Sequence, residues 1–257
     1  MKLTKKLLPA LGMLALSACM LVTSTFAWFS MNTQVSATNM QVTAVTDQIF
    51  LQIVKGANNT TDFENGTVQS EAKADNNTKK YGAVNVYADA TGTAYTGGNT
   101  FSWLTATASD PSKFDQTSDF TAVSADTYTY KTQYTLRLDP TAGEVDGGKL
   151  DVSVAFASTY SDTIAEAVAV LVVCEDDNLS MLFTQSTAGT FTKKAGDPWL
   201  TSTKFPASTL NDIKTKTVTV YVFFDGSNAK CTTNNATQAT GAPYAVNVTF
   251  NVNTTNA

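Results

Sequence analysis

Apolar and polar residues alternate with a period of two along much of the chain. Tyr128, Tyr130, Tyr134, Leu136 and Leu138 share one parity, and Thr127, Thr129, Lys131, Gln133, Thr135 and Arg137 hold the other. Leu150, Val152, Val154 and Phe156 alternate with Asp151, Ser153 and Ala155. Near the C-terminus Tyr244, Val246, Val248, Phe250 and Val252 alternate with Ala245, Asn247, Thr249 and Asn251. Successive side chains on a strand point to opposite faces, so each segment predicts a strand with one buried and one solvated side. Residues 167–173 and 218–224 are apolar on both parities and predict central strands covered on both faces. Weaker strand patterns run over 34–45, 48–54, 83–88, 101–105 and 179–184, while only 210–214 and its surroundings read as helical. The alanine-rich stretch 163–167 fits either state.

Turn chemistry separates these segments. Asp139-Pro140-Thr141-Ala142-Gly143 and Asp146-Gly147-Gly148 lie between two strong strands, and Asp225-Gly226 ends the 218–224 run. Two polar stretches, 55–80 and 105–118, read as long loops or small hairpins. About ten strands without alternating helices predict an all-β, jelly-roll-like β-sandwich. Neither a linker nor an internal repeat is visible, so a single domain is expected.

The N-terminus differs in kind. Lys2, Lys5 and Lys6 precede a nearly continuous apolar run from Leu7 to Val22, the pattern of a signal peptide. Three fates compete. Thr25-Phe26-Ala27 places small residues where a signal peptidase cuts, so cleavage after Ala27 exposes Trp28. Leu16-Ser17-Ala18-Cys19 matches a lipobox, which makes Cys19 a lipidated N-terminus, although Met20-Leu21-Val22 supply no polar tether. The third fate is an uncleaved anchor. The organisation expected is a signal peptide over 1–27, an N-terminal strand over 28–45 and a β-sandwich over 46–257.

Composition narrows the chemistry. The 257 residues include no histidine, which excludes a Ser-His-Asp triad, a Cys-His pair and every histidine zinc motif. An enzyme is therefore not expected, nor a metal or cofactor. Hydrophobic residues make up 43%, enough for a core, and charged residues only 15%. Formal charge is −5; loss of a leader holding Lys2, Lys5 and Lys6 leaves 14 basic against 22 acidic residues, or −8. That surface repels nucleic acid, and the single arginine, Arg137, is a poor basis for phosphate recognition. Outside the leader, Cys174 and Cys231 are a candidate disulfide or two unrelated buried thiols.

Other candidates read as structure first. Glu175-Asp176-Asp177 and the group Asp139, Glu144 and Asp146 are oxygen-rich turns without EF-hand spacing. Asp225-Gly226-Ser227 has the wrong order for an aspartic-protease motif and reads as a turn. Tyr95, Trp103, Tyr160 and Trp199 form either a carbohydrate platform or core packing. Sequons at Asn59, Asn65, Asn235 and Asn247 are expected by chance in a chain this rich in Asn and Thr.

The segment Thr25-Phe26-Ala27-Trp28-Phe29-Ser30, with Asn32, Val35 and Asn39-Met40-Gln41-Val42, resembles the start of TasA/camelysin-type secreted biofilm-matrix fibre proteins of Gram-positive bacteria. The likeness is closest over 20–45, and beyond it only the strand architecture fits. It implies a secreted matrix or cell-surface subunit that polymerises head-to-tail by giving its N-terminal segment to the next copy. The protease activity described for camelysin relatives is not carried over, because no His-Glu-x-x-His is present. Trp28, Phe29, Val35, Ala37, Met40 and Val42 are the candidate donor residues. Their apolar parity changes between Ala37 and Met40, as a bulge or bend near Thr38 would produce; residues 28–45 are then either a donated arm divided there from the subunit's own first strand, or an ordinary first strand packed on its own domain. Two aromatics at a new N-terminus need a pocket, in a neighbour or in the same chain. Expected partners are further copies of the chain, a signal peptidase, and matrix polysaccharide or cell wall; the alternative is a tethered adhesin or carbohydrate-binding module held through Cys19.

Overall fold

The computed structural model describes residues 41–46, 51–64, 71–74, 83–106, 120–138, 149–201, 214–232, 235 and 244–253. They form an all-β sandwich. Four strands make the first sheet: β1 (Gln41–Thr46), β3 (Glu71–Lys73), β8 (Lys149–Phe156) and β13 (Ala245–Asn253), in the order β3-β1-β13-β8. The second sheet is built on β2 (Leu51–Lys55), β7 (Tyr130–Leu138), β12 (Thr215–Asp225), β9 (Val168–Cys174), β10 (Leu179–Thr187) and β11 (Thr190–Gly196), paired in that order. A meander of β4 (Ala83–Tyr87), β5 (Ser102–Ala106) and β6 (Phe120–Ala122) branches from it.

The branch has a simple cause. One edge of β12 pairs with β9 over Val218–Phe224. Its other edge pairs with β7 from Thr215 to Val222 and then, past the start of β7, with β4 at Phe224 and Asp225. The meander peels away there and covers the outer face of the sheet.

Burial follows parity. In β13, Val246, Val248, Phe250 and Val252 are buried, and they face Val42 and Ala44 of β1, Leu150 and Val152 of β8, and Val218, Val220, Val222 and Phe224 of β12 across one core. The opposite parity of the central strands, Ala169, Leu171, Val173, Tyr221 and Phe223, is buried as well, beneath Val84, Val86, Tyr95 and Trp103 of the meander layer. The two segments apolar on both parities are thus β9 and β12, covered on both faces as their sequences predict. Arg137, on the outer face of β7, is buried: its Nε donates to Gln52 Oε1 at 2.6 Å and its guanidinium lies 4.4 Å from the Phe63 ring. The sole arginine packs the fold.

Several boundaries differ from expectation. Thr127 and Tyr128 belong to a helical turn, Ala125–Tyr128, so the strand begins at Tyr130. Thr163–Ala167 is a 3-10 turn with Ile164, Ala165 and Ala167 buried, and β9 starts at Val168. The 55–80 stretch contains a helical turn at Thr61–Glu64 and β3, and β11 forms a hairpin with β10 that its Thr- and Lys-rich sequence conceals. The expected 210–214 helix falls outside the described residues up to 213.

Replacing Phe250, fully buried at the centre of β13, by alanine is expected to destabilise the protein by about 3–5 kcal/mol. Asn247→Ala on the half-exposed face of the same strand should stay within about 0.5 kcal/mol. Urea unfolding midpoints of the two variants check both values.

Candidate functional site

The first sheet has four strands and the second nine, six in its main run and three in the β4–β6 branch, so the sandwich is unequal. On one side it closes: β2 packs beside β1 and β3, and Tyr134 of β7 donates its hydroxyl to the Val42 carbonyl at 3.1 Å. On the other side the first sheet ends at β8, which packs beside β11, the end strand of the second.

The edge of β8 can be read group by group. Val246 faces Phe156 in the antiparallel register, and the Ala157 N–H donates to the Ala245 carbonyl at 2.9 Å. Odd-numbered residues of β8 therefore turn their backbone groups toward β13, and Leu150, Val152, Val154 and Phe156 turn theirs outward. Leu150 is satisfied there: its N–H donates to Thr201 Oγ1 at 3.0 Å and its carbonyl accepts the Leu200 N–H at 2.8 Å. The Val152 N–H donates to the Asp151 carboxylate of its own strand at 2.8 Å. Beyond that point, among the described residues, no strand pairs with the outward groups of Val154 and Phe156.

The side chains at this edge are incompletely covered too. Val154 and Phe156 lie on the core-facing parity but are only half-buried, unlike Leu150 and Val152. An aromatic row borders them. Phe191 of β11 stands 4.9 Å from Phe156, Phe156 4.9 Å from Tyr160, and Tyr160 5.1 Å from Tyr244, centroid to centroid. Two other edges are guarded: β3 is three residues long and carries Glu71 and Lys73, and β11 carries Lys193, Lys194 and a bulge. The stretch from Ser153 to Phe156 has no charge.

Of the donor residues expected from the sequence, Val42 is described. It is buried in β1, level with Val246, in a strand held parallel to β13 and antiparallel to β3. Residues from Gln41 onward are thus the subunit's own first strand. Trp28, Phe29, Val35, Ala37 and Met40 lie outside the described residues, as do Cys19, Ala27, Asp139, Glu144, Asp146 and Asn65. Gln41 is level with Ala245, so the chain enters the sheet at the end where Phe156 and Tyr160 lie.

The chain matches no family model, no curated protein and no solved structure.

The remaining candidates resolve into structure. Cys174 and Cys231 do not pair. Cys174 is level with Val218 at one end of the central β12 segment, whereas Cys231 follows the turn after Asp225, its N–H donating to Asn228 at 2.9 Å. Extended chain from Val218 to Asp225 spans about 23 Å, far beyond the reach of a disulfide. Both thiols are buried, and burial pushes Cys174 up to about 12 and Cys231 further.

Glu175-Asp176-Asp177 is a clamp. Glu175 Oε1 accepts the Thr219 hydroxyl at 2.6 Å, Asp176 Oδ2 the Thr217 N–H at 2.7 Å, and Asp177 Oδ2 pairs with Lys216 Nζ at 2.9 Å. Trp103 and Tyr95 are buried, Trp103 against Phe223 at 5.0 Å between centroids, so they pack the outer layer and form no exposed platform. Tyr160 and Trp199 are half-buried. Asp225-Gly226-Ser227 is the expected turn: the Ser227 N–H donates to Asp225 Oδ1 at 2.9 Å.

Sequence reasoning missed the stretch at Val154 and Phe156 that no strand pairs with among the described residues. Alternation identifies the face of a side chain and carries no information about the neighbouring strand.

In native protein neither Cys174 nor Cys231 should react with iodoacetamide, and both should be alkylated once the chain is unfolded without reductant. Two protected sulfurs under those conditions would mean an oxidised pair. Burial also raises Tyr95 and Tyr221 to about 12, and Tyr244 as well. Above the ordinary values of 9.0 for cysteine and 10.0 for tyrosine the unfolded chain loses protons that the folded chain keeps, so stability falls as pH rises. Thermal midpoints measured from about pH 7 to about pH 11 should be insensitive to these groups at first and drop above about pH 9.

Proposed function

We propose that this protein is a secreted structural subunit of an extracellular or cell-surface fibre, a biofilm-matrix material without enzymatic activity. Removal of the leader frees an arm, Trp28–Met40, which adds to the sheet of the next copy. The observation that carries this reading is the edge of β8 at Val154 and Phe156, where the strand has no charge, the side chains are half-buried and, among the described residues, no strand pairs. An incoming strand supplies the missing N–H and C=O partners of that edge and covers its apolar side chains.

The contact joins unlike surfaces, an arm on one copy and an edge on the next, so it propagates as an open filament and does not close into a dimer. The resemblance of the N-terminal segment to TasA/camelysin-type proteins supports the same assembly. The leader holds the arm at the membrane until it is cut, which makes signal-peptide cleavage the step that permits growth.

Negative-stain electron microscopy tests this. A chain beginning at Trp28 should give filaments. A chain lacking residues 28–39 should give single particles. So should Val154→Pro, which removes an outward N–H that the subunit's own ladder does not use and therefore leaves the monomer folded. Single particles from all three, at neutral and acidic pH alike, would overturn the fibre reading in favour of a tethered binding domain.

A further inference from the structure

A cavity of about 200 Å³ opens on the outer face of the second sheet, between the meander and the β10–β11 hairpin. Its floor is apolar, made by Val86, Leu182 and Phe223. One wall is polar, and a register fault puts it there. Leu182 faces Ala195 and Phe183 faces Lys193, so Lys194 is the extra residue of a β-bulge with no residue opposite. Bulges re-aim a side chain and recur beside functional sites. Here the bulge points the Lys194 ammonium to within 3.5 Å of both Asp225 Oδ2 and Ser227 Oγ.

The polar wall is built and anchored. Asp225 is buried, and its Oδ1 accepts both the N–H and the hydroxyl of Ser227. Asn85 Oδ1 accepts the same N–H at 3.0 Å, which fixes the amide and leaves its NH₂ without a partner among the described residues. The opposite wall is held by the loop before β5: Asp197 Oδ2 accepts the N–H groups of Gly98 and Ser180, and the Tyr95 hydroxyl bonds to Ser180. Gly97, at φ +141°, sits so close to Asp197 that a Cβ would lie 2.9 Å from its carboxylate oxygen.

Charge and shape define the ligand. Lys194 and Asp225 offset each other, so the wall carries donors and acceptors without net charge and favours neither an anion nor a cation. The volume is below that of a pocket for a drug-sized molecule. A small neutral ligand with one apolar face and a rim of hydroxyls matches this arrangement, and a pyranose ring has that form. We propose that this cavity binds a neutral monosaccharide unit, free or at the end of a polysaccharide, with its C–H face toward the apolar floor and its hydroxyls against Lys194, Asp225 and Asn85. The site holds whether or not the chain polymerises.

Saturation-transfer difference NMR on the full chain tests it, with glucose, galactose, mannose and N-acetylglucosamine as separate probes. At least one should receive transfer at its ring C–H protons. Lys194→Ala, at a half-exposed position, should weaken that binding about tenfold. Ala195→Leu, which fills the cavity, should abolish the transfer, and an unchanged far-ultraviolet spectrum should accompany both changes. Arms with a β-linked tetrasaccharide of the responding sugar separate a polymer end from a free sugar. Transfer to none of the probes, or transfer undiminished in both variants, overturns the proposal.

Discussion

Everything in this fold depends on covering two strands from both sides. β9 and β12 are apolar on each parity, and the pair lies at the middle of the second sheet. An extended segment of that kind is stable only when both faces leave water. The first sheet covers one face. The other needs a second layer, and the β4–β6 meander supplies it through Trp103 packing on Phe223 and Tyr221. The polar end of the same outer face, at Thr217 and Thr219, needs no apolar cover and is capped by the carboxylates of Glu175 and Asp176. One strand thus places a hydrophobic layer, an acidic clamp and, at Asp225, the wall of a cavity.

The parts legible in the sequence are those where each residue reports its own environment. Strict alternation in residues 130–138 and 244–252, and the double-faced runs of β9 and β12, gave the strands, their faces and the all-β class. The parts not legible depend on neighbours. Little in Thr190–Gly196 marks it as a strand, because Thr190, Thr192, Lys193 and Lys194 are exposed and its backbone is held by pairing with β10. Cys174 and Cys231 looked pairable because sequence separation does not say that a strand stands between them. Val154 and Phe156 have the alternation of core residues but are half-buried, at an edge where, among the described residues, no strand lies beside β8. Lys194 is unremarkable in sequence; only a one-residue mismatch between β10 and β11 turns it to the outer face.

The sandwich separates two kinds of surface. The β8 edge is a backbone surface, indifferent to side-chain identity beyond the absence of charge. The outer cavity is a side-chain surface whose polar groups are fixed by specific partners. They lie on different layers of the molecule, so an occupant of one does not have to displace an occupant of the other.

The place of β13 also bears on the order in which the molecule is made. β1 is the first strand described, and its long partner is β13, which lies near the end of the chain; β8 has the same strand as its ladder partner. Until β13 has been synthesised, β1 has only β3 as a ladder partner, β8 has none, and the first sheet is incomplete. The second sheet is then left with its Val218–Phe224 face in water. Folding of the first sheet therefore waits for β13, and pairings so distant in sequence make it slow.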